Sequence, residues 1–231
     1  MSEVISPLLH DCPGVRHRFF SRADNAPDIA ESFAIAPERL LGLEQVHSAR
    51  AIAVRNEGDT GRADGMATDC PGLALSISTA DCVPVLLAES EAGVVGALHA
   101  GWRGALAGIC EATVAVMESL GARASEMRAA LGPSISKQCY EVDAPLLDAF
   151  EQAGELERAQ GFFSRTSETH GLFDLPGYVA ARLEGIGIAR IENIEHCTYR
   201  EEMRYHSYRR AMHRGETHRG RQLSAIMLEE K

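Results

Sequence analysis

From Leu73 to Ala100 the chain is almost continuously apolar, broken only around Thr79-Ala80-Asp81-Cys82 and between Glu89 and Gly93. Short apolar runs rich in small and branched residues and bounded by turns read as buried strands. Three are predicted here: Leu73 to Ser78, Val83 to Ala88, and Gly93 to Ala100. Beyond Gly101 the period changes. Ala105, Ile109, Ala112, Val116 and Leu120 recur at helical spacing, so one helix is predicted from Ala105 to Leu120, with Gly121 as its stop. Ala129 to Gly132 reads as a short strand entering Pro133-Ser134. Asp143 to Gln152 and Leu175 to Glu184 read as helices, and Ile188 to Ile194 and Gln222 to Leu228 as strands. Strands and helices interleave, which predicts an α/β or mixed α+β fold. With no repeat, low-complexity tract or linker, one domain over residues 1–231 is expected.

Composition narrows the class. Apolar residues make up 45% and charged residues 24% of the 231, ordinary values for a globular protein. A formal net charge of -10 argues against nucleic-acid binding, which needs a basic face. The N-terminal segment, Met1 to Phe20, lacks a basic start followed by an apolar run, and no stretch reaches the roughly 20 apolar residues of a membrane helix. Six cysteines occur without a CxxC pair or a disulfide-scaffold spacing, so free thiols in a reducing cytoplasm are expected.

The chemistry concentrates in His47, Cys82 and His99. Two imidazoles and a thiolate suit Zn²⁺, and three protein ligands leave a fourth position for water or substrate, the pattern of a catalytic site. Taken singly, each has a plainer reading. A histidine after a strand is ordinarily packed or solvated, and a cysteine between apolar strands is ordinarily a small core residue. Two features favour a shared site. Asp81 puts a charge beside two buried strands, where charge is costly unless used. Trp102 and Arg103 follow His99 in a turn between two glycines, where side chains commonly meet ligands.

A second cluster runs from His196 to Arg221, with seven arginines (200, 204, 209, 210, 214, 219 and 221) against three glutamates. Its net +4 leaves about -14 for the rest of the chain. Most of it reads as a solvated basic face. One or two of its guanidinium forks would suit phosphate. No HExxH, no nucleobase-deaminase pattern, no P-loop lysine and no GxSxG elbow is present.

Taken in order, Gln45-Val46-His47, Ala63-Asp64-Gly65, Thr79-Ala80-Asp81-Cys82-Val83-Pro84, His99-Ala100-Gly101-Trp102-Arg103-Gly104, Leu131-Gly132-Pro133-Ser134-Ile135, Cys139-Tyr140-Glu141-Val142 and Ser207-Tyr208-Arg209-Arg210 form a series closed by Gly220-Arg221-Gln222. This series resembles the laccase-domain family of bacterial purine nucleoside phosphorylases, formerly called multicopper polyphenol oxidases, some of which are described as peptidoglycan editing factors. The resemblance covers the chain from about Phe20 onward. It implies a layered sandwich of mixed β-sheet flanked by helices, akin to certain cysteine-dependent toxin deamidases. It implies zinc held by His47, Cys82 and His99. It also implies phosphorolysis of adenosine, inosine, guanosine and 5′-methylthioadenosine, with adenosine deamination beside it. The chain departs from the family between Ala23 and Asp28, where no glycine pair follows Ser21-Arg22, and the segment up to Gln45 is short.

On this reading Arg22, Arg103, Arg209 or Arg210 positions phosphate, and Asp64 or Asp81 stabilises charge or orients a ligand imidazole. The expected partners are a purine nucleoside and phosphate, with no nucleic acid or membrane, in a monomer or homodimer. Three rivals stand beside it. Cys82 is the nucleophile and His99 the base of a cysteine hydrolase. The protein is a copper oxidase of phenols, although no His-x-His run occurs. Or it is a non-catalytic module acting on cell-wall precursors.

Overall fold

The long apolar run divides between two sheets, and the crossing between them positions the site. The computed structural model describes residues 4–167, 169–217 and 220–230, so His218, Arg219 and Lys231 lie outside the described residues. The strands in chain order are β1 (Val15–Phe19), β2 (Leu40–Leu41), β3 (Ala51–Ala53), β4 (Gly65–Thr68), β5 (Ala74–Thr79), β6 (Val83–Glu89), β7 (Val94–Ala100), β8 (Arg128–Leu131), β9 (Glu141–Asp143), β10 (Phe163–Arg165), β11 (His170–Phe173), β12 (Arg190–Asn193) and β13 (Gln222–Leu228). The α-helices are α1 (Pro7–His10), α2 (Ala26–Ser32), α3 (Trp102–Ala107), α4 (Ile109–Ser119), α5 (Ala144–Gln152), α6 (Leu156–Ala159), α7 (Leu175–Gly185) and α8 (Tyr208–His213).

A six-stranded mixed sheet, ordered β12-β8-β6-β7-β4-β3, forms the centre. A four-stranded sheet, β1-β13-β5-β2, lies on one face, and α3, α4 and α7 cover the other. Alternation along β6 explains the layering: Val83, Val85 and Leu87 join the helix-side core, while Leu86 and Ala88 join the core between the sheets. Both faces are covered, so β6 and β7 are buried along their whole length and the apolar run has no polar alternation. Helix α2 packs Ile29 beside Phe20 and Phe33 on the outer face of the smaller sheet. This mixed α+β sandwich is the fold class expected from the interleaved elements.

The boundaries differ in instructive places. The single helix predicted from Ala105 is two, α3 and α4, parted at Gly108, whose φ of +98° is left-handed backbone that glycine tolerates. The stretch without the glycine pair forms the start of α2, where Asn25 and Asp28 make a reciprocal capping box. The antiparallel β10-β11-β9 sheet and strand β1 were not expected. Among the described residues no helix is long and apolar enough to cross a membrane.

Strand β1 carries a pH-sensitive contact. His17 is buried, and its Nε2 accepts the Ser6 backbone N–H at 2.8 Å. Burial, reinforced by nearby His10, lowers the imidazole pKa to about 4. Unfolded, the ring titrates near 6.5, so below that pH the unfolded chain binds a proton that the native state refuses. Stability is therefore expected to fall by about 3 kcal/mol from this group as pH drops from about 6.5 to about 4. Urea titrations at pH 7 and pH 4.5 check this, and His17→Gln, which keeps an acceptor, is expected to flatten the dependence.

Candidate metal centre

Strand β5 belongs to the smaller sheet and β6 to the larger, and only residues 80–82 join them. The crossing bends sharply: Asp81 has φ +91°. Cys82 lies at the end of this crossing. His99 lies beside it on β7, directly opposite Pro84 of β6. His47 arrives from the loop after β2, with φ +59°. The potential ligand atoms of His47, Cys82 and His99 all lie within 4.8 Å of one another. His47 is exposed, Cys82 half-buried and His99 buried, so the cluster runs from rim to floor of a cavity of about 470 Å³.

Asp64 builds much of this geometry. Its fully buried carboxylate accepts the backbone N–H groups of Val46 (3.2 Å), His47 (3.0 Å) and Ser48 (2.6 Å), plus the Ser48 hydroxyl at 2.7 Å. Its Oδ1 also lies 2.8 Å from His99 Nδ1. Burial alone would raise this carboxyl. The hydrogen bonds from His99 and Ser48 outweigh burial and hold it well below the usual carboxylate range. With Asp64 ionised, His99 Nδ1 carries the proton and Nε2 keeps a free lone pair, the arrangement common around metal-bound imidazoles. Gln45 ties the same loop to β5: its amide donates to the Ser78 carbonyl at 2.8 Å and accepts the Ser78 N–H at 2.9 Å.

The donor set fits a borderline-soft cation. Burial, then the charge of Asp81, pushes the Cys82 thiol up to about 12. Burial and the neighbouring His99 push His47 down, which keeps its lone pair available at neutral pH. A cation would offset the cost of a thiolate here, and an N₂S donor set is compatible with a borderline-soft metal ion. Gly101 leaves the space. A Cβ there would lie 2.6 Å from His47 Nδ1 and 3.1 Å from Cys82 Sγ. Gly101→Ala is therefore expected to displace the His47 ring and weaken metal binding by at least about tenfold, read by competition with a chromophoric chelator.

The arginines separate by role. Arg103 and Arg209 line the cavity. The Arg103 guanidinium stacks on Trp102, 4.3 Å from the ring centroid, and Arg209 sits 5.2 Å from the Tyr140 centroid while donating to the Glu141 carbonyl at 2.6 Å. Arg210 is a correction. It is buried away from the lining and spends its guanidinium on the carbonyls of Thr198, Tyr199 and Tyr205, tying its own loop together. Arg22 also lies outside the lining and donates to the Glu202 carbonyl at 2.9 Å. Asp81 lines the cavity, but its hydrogen bonds run to Thr198, Ser207 and Arg209 and none to an imidazole among the described residues. Sequence reasoning counted Arg221 in the basic cluster but did not assign it to the site; it lines the cavity just before β13 and has no carboxylate partner among the described residues. Its place in the Gly220-Arg221-Gln222 string was the available signal. Tyr140 and Tyr208 line the same cavity.

Residues 21–229 match the model of a family described as multi-copper polyphenol oxidoreductase laccase. A purine nucleoside phosphorylase of Deinococcus radiodurans is 37% identical over 188 residues, which cover 81% of this chain and 71% of that protein. A purine nucleoside phosphorylase of Corynebacterium glutamicum is 33% identical over 210 residues, covering 89% and 81%. The crystal structure of YlmD from Geobacillus stearothermophilus superposes with a TM-score of 0.83 at 27% identity, covering 97% of this chain and 94% of that one. By the span of that family match and the level of these identities, the chain belongs to the multi-copper polyphenol oxidoreductase laccase family.

Proposed function

We propose that this protein is a zinc-dependent purine nucleoside phosphorylase of the cytoplasm, converting adenosine, inosine, guanosine or 5′-methylthioadenosine and phosphate to free base and sugar 1-phosphate, with adenosine deamination as a side activity. One observation carries the reading. A three-ligand His-Cys-His cluster and three arginines, Arg103, Arg209 and Arg221, line one cavity in a chain similar to proteins named purine nucleoside phosphorylase. The single compact ligand cluster among the described residues and the absence of His-x-His runs favour one zinc over a copper cluster. Six free cysteines accord with a reducing compartment.

Phosphorolysis brings an anionic nucleophile to C1′ while positive charge builds on the ribose. His47, Cys82 and His99 would hold the metal, which would supply Lewis acidity to the cavity. Arg103, Arg209 and Arg221 gather and orient phosphate, with stacking on Trp102 and Tyr140 limiting the rotamers of the first two. Asp64 keeps the His99 ring in one tautomer and the His47 loop in place. Pocket walls of Tyr140, Tyr208 and Trp102 offer flat faces to a purine.

The test is incubation of zinc-loaded protein with adenosine, with and without phosphate, and chromatography of the products. Adenine that appears only with phosphate supports phosphorolysis. Inosine alone supports deamination as the main activity. Neither product from folded, zinc-loaded protein overturns the reading.

A further inference from the structure

Asp81 sits where the backbone crosses between the sheets, one residue before the metal ligand Cys82, and is 8% exposed. Its carboxylate makes no hydrogen bond to an imidazole among the described residues. Oδ1 accepts the Thr198 hydroxyl at 2.6 Å, and Oδ2 accepts the Ser207 hydroxyl at 3.0 Å and the Arg209 backbone N–H at 2.7 Å. Its carbonyl accepts the Ile135 N–H at 2.9 Å. The segment it holds is internally tied: Arg210 bonds the carbonyls of Thr198, Tyr199 and Tyr205, and Ser207 caps α8 by accepting the Arg210 N–H at 3.1 Å. That unit presents Arg209 to the cavity, and the bonds that Asp81 accepts tie it to the residue directly preceding Cys82.

We propose that Asp81 is the positioning residue that keeps Arg209 in register with Cys82, so that the Arg209 guanidinium stays placed to bind phosphate in the cavity. The inference rests on the phosphorylase reading for its ligand, inorganic phosphate. The left-handed φ of +91° fits this role, since a strained turn is retained where the surrounding bonds over-determine it. The role differs from proton transfer or imidazole orientation: Asp81 acts through the placement of Arg209, while Asp64 serves the histidines.

The experiment compares zinc-loaded wild-type protein with Asp81→Asn, whose amide presents N–H groups where acceptors are needed. Zinc content is expected to stay at the wild-type stoichiometry. Phosphate Kd by calorimetry and KM for phosphate are expected to rise about tenfold, with KM for adenosine and the pH profile of kcat unchanged. Thr198→Val and Ser207→Ala each remove one bond, and a rise of about threefold in phosphate Kd is expected from either. These two decide the matter if Asp81→Asn does not fold. Unchanged phosphate binding in all three variants overturns the proposal, as does a fall in kcat with a displaced pH profile, which marks proton transfer. If wild-type protein binds phosphate but releases no adenine, the phosphorylase reading fails, and weaker phosphate binding by Asp81→Asn still supports the positioning role. A wild-type protein that does not bind phosphate sinks both.

Discussion

Replacing Cys82 with alanine is expected to abolish metal binding and lower kcat/KM for phosphorolysis by at least about 10³-fold. The expectation follows from what the thiol costs when free. Burial and Asp81 push it up to about 12, so it is protonated at neutral pH and is a poor nucleophile by itself. A bound cation must displace that proton, so zinc uptake at pH 7 is expected to release about one proton per chain. Two histidines remain after the substitution, and the exposed one, His47, sits on a left-handed loop residue. That pair is a weak site. Metal content after dialysis against a mild chelator and turnover of adenosine are the two readouts. The same substitution separates the rivals. If Cys82 were a hydrolase nucleophile, excess zinc would inhibit the wild-type protein and chelation would activate it. The geometry argues against that: His99 Nδ1 bonds Asp64, and the lowering effect of the Arg221 charge on the thiol is outweighed by burial and Asp81, the reverse of what an activated cysteine requires. An active, zinc-free Cys82→Ala protein would sink the metal reading.

Much of the centre was legible from residue type and position. The strands that flank Cys82 and carry His99 are short apolar runs with sharp ends, so both residues could be placed at or beside strand ends before any coordinates. His47 was harder. Its loop has no periodicity, and its place depends on Asp64, seventeen residues away in sequence, gathering three consecutive N–H groups. A carboxylate that organises a loop through backbone donors leaves no pattern in that loop's side chains. The arginines misled for a related reason. Arg209 and Arg210 are adjacent, yet α8 turns one towards the cavity and buries the other against carbonyls. Guanidinium chemistry serves both purposes, and only packing separates them. Asp81 was singled out because its charge was expensive beside buried strands, which is correct physics. The expense is offset by Thr198, Ser207 and Arg209, residues more than a hundred positions away. The break at Gly108 was missed because apolar spacing continues across it.

Removing the Asp64 carboxylate is expected to be the most damaging change to the fold at the site. Asp64→Ala leaves the N–H groups of Val46, His47 and Ser48, the Ser48 hydroxyl and His99 Nδ1 without their acceptor. A buried group left unpaired costs about 1–3 kcal/mol, but water can reach the exposed His47 loop and recover part of that. A net loss of about 3–5 kcal/mol follows, read as a lower midpoint in urea. Asp64→Asn is the sharper probe. It keeps the volume and one acceptor oxygen, so it can serve either the loop or the His99 ring but not both. The protein is expected to fold, with metal affinity weaker by about 10–100-fold because the His99 tautomer is no longer fixed. The pH dependence has a definite sign. The native carboxyl is held below its unfolded value of 3.8, so its contribution is fully present above about pH 4 and is lost as pH falls through the native pKa. His17 works over a higher window, from about 6.5 down to about 4, so the two are separable. Wild-type stability is expected to fall in two stages on acidification. Asp64→Asn should remove the lower stage and leave the upper one, which His17→Gln removes instead. A single stage in the wild type, or an upper stage lost in Asp64→Asn, would show that these groups do not titrate independently.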